Sequence, residues 1–205
     1  MRTGNVPPPG APAAVLTGRL ARYVVALAVL AVIATATAQL QIVVTGTLEG
    51  QLDGEERNWY SLARESNGEL TGATRLSDMG FAGFETYILE ATWFPEQTYA
   101  SVGKLTLMGS FMSGLDECPC ELDQILIKYF LTPDPLVEYY ESLEAQVVID
   151  SFTVGGDGKV SATGSIIATL GYVAGPMVSI EPDPNRTVQL NGTFVIDRLL
   201  ADFDD

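Results

Sequence analysis

The sequence contains no histidine among its 205 residues, and this absence removes several kinds of chemistry. A Ser–His–Asp or Cys–His nucleophile, a zinc or haem site with histidine ligands, and acid–base catalysis by imidazole all need that side chain. Enzymes of these kinds are therefore excluded. Carboxylate pairs of the type that hydrolyse glycosides stay open, because acidic residues are abundant.

Basic residues are also scarce: 11 Lys and Arg stand against 26 Asp and Glu, which gives a formal net charge of −15. Binding to nucleic acid relies on clustered Lys and Arg that neutralise phosphates. The sequence therefore predicts no nucleic-acid partner. A charge of this sign predicts a strongly solvated surface, or else an attraction for cations such as calcium or basic partners.

The first 38 residues have the features of an export signal. They hold three Arg and no acid, followed by an apolar run from Tyr23 to Ile33. Ala36 and Ala38 supply the small-x-small pattern of a cleavage site before Gln39. The alternative is an uncleaved membrane anchor, which would be the chain's only contact with a membrane. Removal of residues 1–38 leaves 8 bases against 26 acids, a net charge of −18.

Alternation of apolar and polar residues dominates the rest of the chain, residues 39–205. Such alternation is typical of half-buried antiparallel strands. One apolar row reads Val160, Ala162, Gly164, Ile166, Ala168, Leu170 and Tyr172. A second reads Val188, Leu190, Gly192, Phe194 and Ile196. Further strands are predicted at 57–63 after the turn at Leu52–Gly54, at 86–93, at 125–131, and at 147–154 before a hairpin at 155–158.

One five-residue motif recurs in these rows: apolar, any residue, Gly, Ser or Thr, apolar. Its glycines are Gly46, Gly109, Gly164 and Gly192. A glycine in a buried row is kept where a strand bends or where a neighbour's large side chain lies across the backbone. Candidate rings for this packing are Trp59, Trp93 and Tyr87. The alternative is that the missing side chains leave a ligand cavity.

These observations predict one exported all-β domain, an antiparallel sandwich or barrel of about eight to ten strands. One short helix is predicted at Pro135–Glu144, because apolar residues there recur at helical spacing after the N-cap Asp134. The segments 64–83 and 174–186 are predicted to be mostly loop, because they are rich in Gly, Ser, Thr or Pro.

Cys118 and Cys120 are the only cysteines. An even number of cysteines in an exported protein favours a disulfide, here a local one across Pro119. Free or intermolecular thiols are the second interpretation, and redox or metal chemistry is a distant third. Asp116, Glu117, Glu121 and Asp123 surround the pair and offer the oxygen ligands that calcium prefers. Their spacing matches no EF-hand, so a solvated acidic turn without a cofactor is the expectation.

The functional prediction from the sequence is a non-catalytic one. It is a secreted, periplasmic or envelope domain that binds a ligand, a polysaccharide or another surface protein, or that has a structural role in the envelope. Two alternatives remain: a carboxylate-dependent hydrolase of extracellular polysaccharide, and a lipocalin-like carrier with an apolar cavity. Two convergent carboxyls in a cleft would favour the hydrolase, and an enclosed apolar cavity would favour the carrier. A filled core with neither would favour the binding or structural domain.

Overall fold

A computed structural model describes residues 41–66, 69–72, 74–79, 86–112, 117–134, 138–154, 160–175 and 181–202. All of them lie in one compact unit, Leu40–Asp205. The described residues form eleven strands and no helix. The strands are β1 (Gln41–Leu52), β2 (Glu55–Ser66), β3 (Glu69–Gly72), β4 (Arg75–Asp78), β5 (Tyr87–Phe94), β6 (Leu105–Phe111), β7 (Cys120–Glu121), β8 (Asp123–Phe130), β9 (Glu138–Val154), β10 (Val160–Ala174) and β11 (Asp183–Asp202).

Eight of these strands close into a ring by antiparallel pairing. The order is β1–β2–β5–β6–β8–β9–β10–β11, and β11 pairs back with β1. The eight ring strands follow one another in the same order as in the chain, so each ring strand is paired with the next ring strand. Of the other three strands, β3 extends the edge of β2, β7 pairs with β9, and β4 lies between β5 and the end of β11. The all-β prediction is confirmed, and the ring closure makes the sheet a barrel.

The inside of the barrel is filled by the apolar rows seen in the sequence. On β10, the residues from Val160 to Leu170 alternate between buried and less buried positions, as the sequence predicts. The largest fully buried side chains are Trp59, Trp93, Phe111 and Phe194. The rings of Trp93 and Phe194 lie 5.9 Å apart. Aromatic side chains therefore occupy the middle of the core.

The turn between β1 and β2 is the one that the sequence predicts. Asp53 and Gly54 both have positive φ, 54° and 83°. A two-residue hairpin of this kind needs left-handed backbone at both positions, which Asp tolerates and Gly adopts without strain. The turn fixes the pairing of Leu52 with Glu55, and with it the register of β1 on β2.

The four motif glycines are buried and lie at close contacts between strands. A Cβ on Gly164 would collide with the Val148 carbonyl oxygen and lie 2.5 Å from Cζ of Phe194. A Cβ on Gly46 would collide with the Val195 carbonyl oxygen, and one on Gly192 would lie 2.9 Å from the Glu49 carbonyl oxygen. At Gly109 the neighbour is the Leu122 side chain, 3.0 Å away. The nearest atoms belong to backbone and to the side chains of Leu48, Leu122 and Phe194, in place of the rings of Trp59, Trp93 and Tyr87 named from the sequence.

The predicted helix at Pro135–Glu144 is wrong for the described residues 138–144, which begin β9. Tyr139 pairs with Phe130 of β8, and both Tyr139 and Tyr140 have partners on β10. The helical spacing of the apolar residues is overridden because these cross-strand pairs satisfy the backbone on both edges of the segment. Residues 135–137 lie outside the described part.

The predicted loop at 64–83 is also wrong in large part. It contains the end of β2 and the whole of β3 and β4. β3 folds back on β2, and β4 gains partners on β5 and β11, so tertiary pairing outweighs the polar composition. In the segment 174–186, β11 begins at Asp183. The predicted hairpin at 155–158 lies outside the described residues.

None of the residues that the structure describes forms a helix with the length and apolar character needed to cross a membrane. The predicted export signal, residues 1–38, lies wholly outside the described part. Cleavage after Ala38 and the alternative of an uncleaved anchor therefore both stay predictions.

Candidate functional site

Three tyrosines lie side by side at one end of the barrel. Tyr129 of β8 pairs with Tyr140 of β9, and Tyr140 pairs with Tyr172 of β10, so the three side chains share one face. Tyr129 and Tyr140 pack against the hydrophobic core, which places this face on the inside. The rings of Tyr140 and Tyr172 meet edge to face, with centroids 5.6 Å apart. We call Tyr129, Tyr140 and Tyr172 the tyrosine row.

The β10 end of the row is held by two charged side chains. The Tyr172 hydroxyl donates a hydrogen bond to Oε1 of Glu138 at 2.6 Å. The guanidinium of Arg186 lies over the Tyr172 ring, 3.5 Å from its centroid, in a cation–π contact. Arg186 is on β11, next to an irregularity in the β10–β11 pairing where Tyr172 pairs with Asp183. This bulge brings Arg186 over the ring.

The β8 end of the row faces β2. Tyr129 interacts electrostatically with Arg57 and Glu55, and Nη2 of Arg57 lies 2.6 Å from Oε2 of Glu55. Glu55, Arg57 and Trp59 alternate along β2, so they point to the same side of the strand. The inward row of β2 therefore changes from Trp59 in the core to a charged pair at the rim.

A crevice of about 460 Å³ opens beside Tyr129. One wall is the start of β2, from Glu56 to Tyr60, and the other is formed by Pro95, Val102 and Gly103 of the β5–β6 connection. β2 pairs with β5 only at Tyr60 and Ser61. The residues of β2 that precede Tyr60 are therefore not paired with β5, and the crevice opens between them and the β5–β6 connection. The indole nitrogen of Trp59 donates to the Gly103 carbonyl oxygen at 3.0 Å and closes the base of the crevice.

Two tyrosines of the row have raised pKa values for different reasons. Burial is the main cause at Tyr129, and Arg57 opposes it. At Tyr172 the hydrogen bond to Glu138 is the main cause, because it stabilises the protonated phenol beside a carboxylate. Both effects favour the neutral hydroxyl, so Tyr129 and Tyr172 present hydrogen-bonding phenols at physiological pH.

These raised pKa values predict a loss of stability in alkali. Unfolded tyrosines titrate near pH 10. The folded chain holds the phenolic protons to higher pH, so the stabilisation is complete below about pH 10 and is lost as pH rises through the folded pKa values. Urea unfolding at about pH 8 and about pH 11 measures the decline. We expect a smaller decline in Tyr172→Phe than in the wild type, and equal declines in the two proteins would contradict the interpretation.

The cysteine pair predicted to form a disulfide does so: the sulfurs of Cys118 and Cys120 are bonded to each other. Cys120 is buried and begins β7, where it pairs with Ile149 of β9. This pairing joins the disulfide-bonded segment, Cys118–Cys120, to the sheet at the end of the barrel away from the tyrosine row. Tyr129 and Asp123 are six residues apart on β8, a separation of roughly 20 Å along a strand.

Three of the four acidic residues around the disulfide are described, and all three are exposed: Glu117, Glu121 and Asp123. Asp116 lies outside the described residues. Within the described part of the chain, no three Asp, Glu or Cys side chains converge in a group suited to a metal ion. The structure thus assembles no calcium site from Glu117, Glu121 and Asp123, and calcium at this loop stays a hypothesis.

Sequence reasoning did not identify the residues of the tyrosine row as a site. A signal was present, because the apolar rows of β8 and β10 each contain a tyrosine near one strand end. Tyr140 was hidden by the wrong helix. What the sequence could not supply is the register that aligns the three tyrosines, since that depends on pairing between strands.

The chain matches no protein-family model, no characterised protein and no solved structure.

Proposed function

We propose that this chain is a non-catalytic binding domain, exported to the envelope or beyond, that takes its ligand at the tyrosine row. The observation that carries the proposal is the alignment of Tyr129, Tyr140 and Tyr172, which have partly exposed rings, between Arg57 and Arg186. Binding sites combine aromatic surface with a few fixed polar groups that orient the ligand. Tyrosine and arginine are also the residue types that contribute most to binding interfaces.

The filled core supports binding at the rim of the barrel. Trp59, Trp93, Phe111 and Phe194 are each fully buried and occupy the space that a carrier would keep open for an apolar ligand. The two glutamates beside the row have partners of their own: Glu55 binds Arg57 and Glu138 accepts from Tyr172. Because both carboxylates are bonded to neighbouring side chains, they suit the role of orienting a ligand better than that of catalysing a reaction.

The test is a titration of the full chain with three probes of different chemistry: cellotetraose, p-coumarate and inorganic phosphate. We expect one of them to shift the ring NMR signals of Tyr129, Tyr140 and Tyr172 and to leave those of Tyr139 unchanged. Chromatography should show that the bound probe stays intact. The proposal would be contradicted if none of the three probes shifted the ring signals of the tyrosine row, or if cellotetraose were cleaved.

A further inference from the structure

We infer that the ligand of the tyrosine row is a neutral polyhydroxylated ring, a pyranose sugar in an oligosaccharide chain. This inference rests on the proposed function, because it assigns the chemical class of ligand to the same site. It follows from the charge balance of the row, from the positions that its cations already occupy, and from the width of the aromatic surface.

Four charged side chains act on the row, and they balance. They are Glu55 and Arg57 on the Tyr129 side, and Glu138 and Arg186 on the Tyr172 side. A carboxylate or phosphate ligand would have to displace Glu55 from Arg57, where the two groups are 2.6 Å apart. It would also approach a chain with a net charge of −15, which repels anions at long range. The site therefore disfavours an anionic ligand.

A cationic ligand is disfavoured for a separate reason. The position where a cation gains most from an aromatic ring is over its face, and Arg186 already lies there, 3.5 Å from the Tyr172 centroid. A second cation in the row would also be repelled by Arg57 at the Tyr129 end or by Arg186 at the Tyr172 end. Charge thus disfavours both signs of ligand at the rings themselves, which favours a neutral one.

The remaining groups fit the chemistry of sugars. A pyranose has apolar C–H faces, which pack on the negative face of an aromatic ring, and hydroxyls around its edge. The Arg guanidinium donates in a fork and a carboxylate accepts through two oxygens, so each can bind neighbouring hydroxyls. Strands are spaced about 4.8 Å apart, so the three rings on β8, β9 and β10 span about 10 Å. This width suits consecutive sugar units of a chain.

The crevice beside Tyr129 extends this surface. Its walls include Arg57, which lies on the same side of β2 as Trp59 and carries donors of the kind that hydroxyls need. An oligosaccharide that lies along the row can therefore continue from Tyr129 towards the β5–β6 connection.

The experiment measures cellotetraose affinity by calorimetry for the wild type and three variants of the full chain. Tyr172→Ala removes one end of the row, Arg186→Gln replaces the charged, forked guanidinium of an exposed side chain by a neutral amide, and Tyr139→Phe is the control on the opposite face of β9. We expect affinity to fall about tenfold or more in Tyr172→Ala, the loss typical of truncating an aromatic side chain that contributes strongly to binding. Arg186→Gln should weaken binding in the same direction, while Tyr139→Phe should bind as the wild type does.

The other two probes separate failure of the sugar assignment from failure of the site. Shifts of the tyrosine-row signals by p-coumarate or phosphate but not by cellotetraose would overturn the sugar assignment and leave the binding site standing. Cellotetraose binding that is equal in all variants would also overturn it. If no probe reaches the row, both proposals fail. Thermal melts of each variant confirm that a loss of affinity is measured on folded protein.

Discussion

Replacing Trp59 with alanine is expected to lower the free energy of unfolding by about 3–5 kcal/mol, the cost of deleting a large aromatic from a core. Trp59 is 1% exposed and fully inside the barrel. Its indole nitrogen also joins β2 to the β5–β6 connection through the Gly103 carbonyl oxygen, at 3.0 Å. The change therefore creates a cavity and leaves a buried acceptor without its donor. Urea unfolding followed by circular dichroism measures the loss.

Trp93 provides the matched comparison. It is 0% exposed, and its indole nitrogen finds no acceptor in the described part of the chain. Substitution by phenylalanine removes similar volume at Trp59 and at Trp93 but breaks a hydrogen bond only at Trp59. We expect Trp59→Phe to cost about 1–3 kcal/mol more than Trp93→Phe, the penalty for an unsatisfied buried group. Equal losses would show that the bond to Gly103 contributes nothing to stability.

Valine at Gly164 is expected to destabilise the barrel by about 1–3 kcal/mol, the range seen when extra side-chain volume enters a packed core. The new Cβ would meet the Val148 carbonyl oxygen of β9 and the ring of Phe194. The backbone atom cannot turn aside as a flexible side chain can, so β9 and β10 would have to separate. Thermal and urea unfolding both measure the effect.

Two controls test the reason for the Gly164 effect. Ser165→Val adds the same branched side chain one residue further on, facing outward, and should leave stability within about 0.5 kcal/mol of the wild type. Gly109→Ala should cost less than Gly46→Ala. The closest neighbour at Gly109 is the movable Leu122 side chain, whereas at Gly46 it is the backbone of β11. An unchanged melting temperature in Gly164→Val would favour the cavity interpretation of these glycines.

The pattern of the sequence was sufficient for the strand content and for much of the core. Alternation along β10 and β11 identified which residues face inward, because side chains of a strand point to opposite faces in turn. The turn at Asp53–Gly54 could also be predicted, because few residues adopt positive φ without strain. Both are local properties of the backbone, so neighbouring residues are enough to determine them. The same holds for the disulfide of Cys118 and Cys120, which are two residues apart.

Local pattern was misleading where pairing with other strands decided the structure. Residues 138–144 have helical spacing, but pairing with β8 and β10 makes them a strand. The polar segment at 64–83 forms β3 and β4 because β2, β5 and β11 offer them partners. In both places the tertiary contacts outweigh intrinsic preference, which is weak for strands.

The sequence by itself determined the all-β class, the inward rows, the lack of histidine chemistry and the acidic charge. Only the tertiary structure decided that the sheet closes into a barrel and that Tyr129, Tyr140 and Tyr172 stand at one level. The physical reason is that ring closure depends on hydrogen bonds between β1 and β11, and the alignment of the row on hydrogen bonds between β8, β9 and β10, which the pattern within one strand does not determine. A shift of one residue in the register of β8, β9 or β10 would turn every side chain of that strand to its other face. The tyrosine on that strand would then no longer lie beside the other two.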